Sequence, residues 1–95
     1  MKILIIEDEQ GLQESILKYL EHQGFKCEAV RDFIKGKENV TQFVYDCIVV
    51  DIGLPYGSGL DIVKELKYME SKAGIIIISA KNTLEDKLSG FDLGA

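Results

Sequence analysis

Three runs of four consecutive apolar residues set the strongest limit on how this chain can fold. The runs are Ile3–Ile6, Cys47–Val50 and Ile75–Ile78. An apolar run of this length, bounded by polar or turn-forming residues, is typical of a β-strand that is buried on both faces. Such strands occur in parallel sheets that are covered by helices on both sides. Phe25–Val30 is a further short strand candidate, so the chain can form one small sheet.

Amphipathic segments separate these strands. The predicted helices run from about Gln10 to Gln23, from Asp32 to about Val40, from Ser58 or Gly59 onward, and from Asn82 onward. The residues expected to face the sheet are Leu12, Ile16, Tyr19 and Leu20 in the first helix, and Ile62, Val63, Leu66 and Met69 in the third. Strands that alternate with helices predict a parallel sheet with right-handed crossovers. We therefore expect an α/β, doubly wound fold, in one domain of 95 residues.

Charge and hydropathy exclude several classes of function. The formal net charge is −5, which disfavours a nucleic-acid surface within these residues. No apolar stretch is long enough for a membrane-spanning helix or a secretory signal peptide, so we expect no membrane partner and a cytoplasmic location. Cys27 and Cys47 lack the C-x-x-C spacing of a redox or zinc site, and they are expected to be buried thiols.

Polar residues follow the apolar strands where each strand ends. Glu7, Asp8 and Glu9 follow the first, Asp51 follows Cys47–Val50, and Ser79 follows Ile75–Ile78. Ligands of open parallel sheets bind beyond the carboxyl ends of the strands. If the strands before Glu7 and Asp51 are neighbours, the carboxylates converge and must either hold a proton or bind a cation.

Oxygen ligands of this kind suit Mg²⁺, and a metal placed among them leaves room for a phosphoryl group. Asp51 is the best candidate for a nucleophile that forms an acyl phosphate, since a loop follows it directly. The Ser79 hydroxyl and the Ala80 backbone N–H could then bind phosphoryl oxygens. Taken singly, Asp8 could instead be a helix N-cap, Asp51 a turn residue and Ser79 a strand-end hydroxyl.

Together these residues resemble the receiver domain of bacterial two-component response regulators. The resemblance rests on the acidic pair Glu7-Asp8, on Asp51 followed by Pro55 and Gly59, and on Ser79-Ala80. The stretch from Ser79 to Ala95 is similar to regulators that carry a winged-helix (OmpR-like) DNA-binding output domain.

The resemblance implies a flavodoxin-like sheet and a role for each matching residue. Asp51 would accept a phosphoryl group from a phosphohistidine of a sensor histidine kinase. Asp8 and Asp51 would bind Mg²⁺ directly with the Gly53 carbonyl, and Glu7 would act through a metal-bound water. Ser79 would contact the phosphoryl group and report its presence. The domain would be a signalling switch for a transcriptional output and not an enzyme.

The same resemblance shows what these 95 residues lack. A receiver has a fifth strand, which carries a phosphate-contacting lysine, and a fifth helix, and neither is found here. We therefore expect a truncated receiver over residues 1–95, with strand order 2-1-3-4 and no output domain, so that DNA would be bound only through that absent domain. Ile75–Ile78 would be an unprotected edge strand, which predicts a homo-oligomer or pairing with another strand. In that order the strands of Cys27 and Cys47 are too far apart for a disulfide.

Three other functions compete with this prediction. A degenerate receiver would never be phosphorylated and would act by protein contact alone. A phosphohydrolase of the haloacid-dehalogenase type also uses an aspartyl nucleophile, but it has a second acid two residues later, where Gly53 stands. A flavin- or nucleotide-binding protein would need a Gly-rich phosphate loop after the first strand, where this chain has acids.

Overall fold

The computed structural model describes residues 1–78. Their elements, in chain order, are β1 (Lys2–Ile6), α1 (Gln10–His22), β2 (Lys26–Val30), α2 (Phe33–Gln42), β3 (Cys47–Asp51), β4 (Gly53–Leu54), β5 (Gly57–Ser58), α3 (Gly59–Tyr68) and β6 (Gly74–Ile78). The predicted alternation of strands and helices is confirmed over this range. The helix expected from Asn82 onward lies outside the described residues. Within residues 1–78, no helix is both long and apolar enough to cross a membrane.

The main sheet has four parallel strands in the order β2-β1-β3-β6. Because β4 and β5 pair only with each other, this is the predicted 2-1-3-4 order of the long strands, and the α/β doubly wound fold is confirmed. Ile3 pairs with Cys27 on one side and with Cys47 on the other. The two cysteines therefore lie on strands separated by β1 and form no disulfide, as predicted. Both are free thiols, but they are half-buried and not buried as expected.

The central positions of β1 and β3 in the sheet explain the apolar runs Ile3–Ile6 and Cys47–Val50 within them. Leu4, Ile6, Ile48 and Val50 belong to a core cluster on one face, which also contains residues of α2 and α3. Ile3, Ile5 and Val49 form a second cluster on the other face, together with residues of α1. Both faces of each strand are thus covered, which fixes the carboxyl ends of β1 and β3 side by side.

The sheet-facing side of α1 differs from the prediction. Ile16 and Leu20 pack against the core as expected, but Leu17 joins them, while Tyr19 is 65% exposed and Leu12 is also exposed. The buried stripe is therefore rotated, and the residue that completes its helical spacing is the polar Gln13. In α3, Ile62, Val63 and Leu66 are buried as predicted, whereas Met69 lies just after the helix and is exposed.

The segment after β3 is more ordered than its composition indicates. Its glycines and proline predict only a loop, yet β4 and β5 form a small antiparallel hairpin with Gly53 opposite Ser58 and Leu54 opposite Gly57. The turn between them contains Tyr56 with a φ of 69°, a left-handed conformation that a tyrosine adopts only when its surroundings hold it there. Ser58 then caps α3, because its hydroxyl accepts a hydrogen bond from the Leu60 N–H.

At the other edge of the described sheet, β6 pairs with β3, and Ile76 is 52% exposed. An exposed apolar edge strand has unpaired backbone groups that can pair with a further strand. The expected homo-oligomer, or the pairing of this edge with another strand, stays a prediction.

Candidate metal centre

Three carboxylates from two strand ends meet at the carboxyl edge of the sheet. Glu7 and Asp8 follow β1 directly, and Asp51 is the last residue of β3. Since Ile6 pairs with Val50 in parallel register, the next residues of the two strands are also neighbours. One oxygen from each of Glu7, Asp8 and Asp51 lies within 4.8 Å of the others. The predicted convergence of these side chains is therefore present in the structure.

Two of the three carboxyls are removed from water. Glu7 is fully buried and Asp51 is 2% exposed, whereas Asp8 is half-buried. Burial, the largest cause, and the negative charge of Asp51 contribute to raising the pKa of Glu7 from 4.5 to about 7. Burial also raises the pKa of Asp51. Near pH 7 the Glu7 carboxyl is therefore only partly ionised, and a cation could replace its proton.

One oxygen of Glu7 has no protein partner among the described residues. Its Oε2 accepts a hydrogen bond from the Glu9 N–H at 2.9 Å, but the buried Oε1 has none. A buried carboxylate oxygen without a partner costs free energy, and such groups call for a proton, a water or an ion. Together with the oxygen-only donor set, this orphaned atom fits a hard divalent cation such as Mg²⁺.

Asp8 keeps its carboxylate free for this site because another residue caps α1. The N-cap is Glu9, whose side chain accepts hydrogen bonds from the N–H groups of Gly11 and Leu12. The alternative in which Asp8 is the cap is therefore wrong. The Asp8 backbone carbonyl accepts a hydrogen bond from Arg31 at 3.3 Å, which ties the acidic turn to the end of β2.

Gly53 lies next to the cluster, at the start of the β4–β5 hairpin. Its N–H donates a hydrogen bond to Asp51 Oδ1 at 3.4 Å. This contact places the Gly53 backbone close to the carboxylates, and the resemblance to receivers implies that its carbonyl binds the metal. Ser79 and Ala80, the predicted phosphoryl contacts, lie outside the described residues.

No sequence motif identified Gln13, whose side chain donates hydrogen bonds to the backbone at the acidic turn. Its amide nitrogen donates to the carbonyl of Glu7 at 3.0 Å and to that of Val30 at 2.9 Å. These two hydrogen bonds join the ends of β1 and β2 and hold the backbone of Glu7 in place. The available signal was the helical spacing of Gln13 with Ile16, Leu17 and Leu20, which puts a polar residue on the buried stripe.

Gln13→Leu should destabilise the protein by about 1–3 kcal/mol, because it removes both hydrogen bonds from a buried site. Gln10→Leu is the matched control, since Gln10 is exposed and bonds only to Glu14 on its own helix. Urea unfolding followed by circular dichroism measures both variants. Equal unfolding free energies for the two would contradict the supporting role of Gln13.

Comparison with known proteins decides the family. The sequence model of the response regulator receiver domain matches residues 3–95. This chain belongs to that family. Receiver domains are signalling domains, and the match favours the receiver prediction over a hydrolase or a flavin-binding protein.

Named relatives agree with this assignment. The receiver is 36% identical over 95 residues to the two-component response regulator PhoP of Pseudomonas aeruginosa, covering 100% of this chain and 42% of that protein. It is 35% identical over 95 residues to the transcriptional regulatory protein DltR of Streptococcus agalactiae, with the same coverage of 100% and 42%. The chain thus spans less than half the length of these relatives.

A solved receiver domain, that of the Francisella response regulator 1452, has the same fold. The TM-score is 0.87 at 26% identity, and the match covers 99% of this chain and 78% of that one. The flavodoxin-like arrangement expected from the resemblance is therefore confirmed.

Proposed function

We propose that this receiver accepts a phosphoryl group on Asp51 from a phosphohistidine of a sensor histidine kinase. The observation that carries the proposal is the position of Asp51, which ends β3 with an oxygen within 4.8 Å of those of Glu7 and Asp8. A carboxylate nucleophile beside two further acids needs a cation to offset their charge before an anionic phosphoryl group can approach.

Asp8, Asp51 and the Gly53 carbonyl would hold Mg²⁺, with Glu7 bound to it through a water. When bound, the metal would neutralise charge on the carboxylates and on the phosphoryl oxygens. The orphaned Oε1 of Glu7 supports its part in this set. Asp8 is the least buried of the three carboxyls, so a hydrated cation would meet it first.

In the transfer step, one Asp51 carboxylate oxygen attacks the phosphorus, and a P–O bond forms as the P–N bond to histidine breaks. The kinase imidazole leaves with the bonding electron pair and takes a proton from solvent. The Gly53 N–H, which already donates to Asp51 Oδ1, orients the carboxylate. The Ser79 hydroxyl and the Ala80 N–H are proposed to bind the transferred phosphoryl oxygens.

Mass spectrometry after incubation with a small acyl-phosphate donor and Mg²⁺ tests this assignment. The unaltered protein should gain one phosphate, and Asp51→Asn should gain none. Asp61→Asn, an exposed acid on α3, is the control and should be labelled like the unaltered protein. Equal labelling of Asp51→Asn would refute the site, and no labelling of the unaltered protein would favour a degenerate receiver or an inert fragment.

The wider context is proposed from the relatives. Because DltR is a transcriptional regulatory protein, we assign this receiver to a regulator that binds DNA through a separate output domain. The free thiols of Cys27 and Cys47 support action in the reducing cytoplasm, where a sensor kinase would reach it. We also propose a homo-oligomer or edge-strand pairing, since Ile76 on β6 is exposed among the described residues.

A further inference from the structure

The hairpin that carries Gly53 is too short to hold its own position. β4 and β5 have two residues each, and a two-stranded hairpin of this size is not stable alone in water. Its position must therefore depend on contacts with the rest of the fold. One of these comes from the first residue of α2, since the Phe33 N–H donates a hydrogen bond to the Pro55 carbonyl at 3.1 Å.

The Phe33 side chain makes a second and closer contact with this hairpin. Its ring lies against the backbone of Gly57, so that a Cβ atom added to Gly57 would be 2.4 Å from the ring Cγ and 2.6 Å from Cδ1. Those atoms are the base of the ring and cannot swing aside as a flexible chain end would. Among the described residues, the only glycine with positive φ is Gly24, so the backbone of Gly57 would accept an L-residue. The ring, and not the backbone conformation, is what requires glycine here.

We propose that the Phe33–Gly57 contact fixes the β4–β5 hairpin and makes Phe33 a positioning residue for the divalent cation. The inference rests on the proposed function, because it assumes that the Gly53 carbonyl is a metal ligand.

A displacement of Gly57 should also displace Gly53, because both lie in the same hairpin. Leu54 pairs with Gly57 and is also buried in the core, so a shift of Gly57 must move Leu54 or break the pairing. Gly53 directly precedes Leu54, and its N–H donates a hydrogen bond to Asp51 Oδ1. Without the ring, the Gly53 carbonyl would sample more positions, and the entropy lost on metal binding would rise. Residues that orient metal ligands from outside the coordination sphere typically change metal affinity by about 10- to 100-fold.

Three variants separate this role from general packing. Phe33→Ala removes the ring, Gly57→Ala puts a methyl group where the ring lies, and the double variant removes the clash. Each single change should raise the Mg²⁺ concentration for half-saturation about tenfold. The double variant should bind Mg²⁺ about as tightly as Phe33→Ala, because the added methyl group no longer meets the ring. The rate of Asp51 labelling at saturating Mg²⁺ should change much less than the half-saturation point.

A readout without metal tests the hairpin directly. In metal-free protein, amide hydrogen exchange over residues 52–58 should be faster in Phe33→Ala and in Gly57→Ala than in the unaltered protein. Ile34→Ala, the neighbouring exposed position on α2, is the control and should change neither the exchange nor the Mg²⁺ affinity. Thermal unfolding of each variant checks that it is folded.

The outcomes distinguish this inference from the proposed function. Unchanged exchange over residues 52–58, with Mg²⁺ affinity within about twofold of the unaltered protein, would overturn the positioning role. The same holds if the two losses of Mg²⁺ affinity multiply in the double variant, because two changes to one contact should not act independently. If the unaltered protein binds no Mg²⁺, the proposed function fails and so does the positioning role toward the cation. Faster exchange in the two single variants would then show that Phe33 orders the hairpin, but not that this affects a metal site.

Discussion

Gly59→Ala is expected to destabilise the receiver by about 3 kcal/mol or more and to abolish Mg²⁺ binding in any fraction that remains folded. A Cβ atom on Gly59 would lie 1.9 Å from the carbonyl oxygen of Asp51 and 3.0 Å from Val50 Cγ2. The nearest obstacle is backbone, which cannot rotate away as a side chain can. The chain must therefore move at Asp51, the residue that ends β3 and supplies the proposed phosphoacceptor.

Two features make this rearrangement costly. The Gly59 N–H donates a hydrogen bond to the Ile52 carbonyl at 2.9 Å, which closes the loop onto the end of β3. Gly59 is also the first residue of α3, whose buried face fills the core beneath the site. Moving Gly59 away from Asp51 would break the hydrogen bond or pull α3 from the sheet.

Gly53→Ala is the matched control for stability. Gly53 is exposed, and a Cβ atom there would meet nothing within 4 Å. Its free energy of unfolding should stay within about 0.5 kcal/mol of the unaltered protein. Chemical denaturation measured by circular dichroism compares the two variants, and similar midpoints for both would contradict the close approach of Gly59 to Asp51.

The fold could be predicted because its strongest determinants are local in the sequence. The apolar runs in β1 and β3 have no polar face, so only a sheet covered on both sides can bury them. The strand order could not be predicted from local patterns, since nothing within Ile3–Ile6 or Cys47–Val50 specifies which strand lies beside which. It came from the resemblance to receivers, and the structure confirms it.

The meeting of Glu7, Asp8 and Asp51 could be predicted for a related reason. Each residue follows a strand, and parallel strands end at the same edge of a sheet. The supporting residues could not be found in this way. Gln13 is recognisable only when the buried face of α1 is known, and the Phe33 contact with Gly57 joins segments far apart in the sequence.

The second large effect is a loss of stability with rising pH when no divalent metal is present. Glu7 has a pKa of about 7 in the folded protein and 4.5 as its ordinary value. Between these values the folded state binds more protons than the unfolded state, so the free energy of unfolding falls as the pH rises. From about pH 5 to about pH 8, the loss should be on the order of 3 kcal/mol. The raised pKa of Asp51 acts in the same direction.

Glu7→Gln isolates the contribution of this one carboxyl. The substitution keeps the side-chain length and removes the ionisation, so most of the pH dependence should disappear. Glu14→Gln makes the same chemical change at an exposed position of α1 and should retain the pH dependence of stability. Urea unfolding in the presence of a chelator, at several pH values, gives the free energies for all three proteins.

Excess Mg²⁺ should oppose this trend, because the metal and the proton both neutralise the same carboxylate cluster and therefore compete. A ligand that binds only the folded state stabilises it in proportion to the logarithm of its concentration over its dissociation constant. Deprotonation of Glu7 becomes easier beside a cation, so Mg²⁺ should stabilise the protein more at about pH 8 than at about pH 5. If stability instead rises with pH in the chelated protein, or if Mg²⁺ protects equally at both pH values, Glu7 does not hold the proton that the cation displaces.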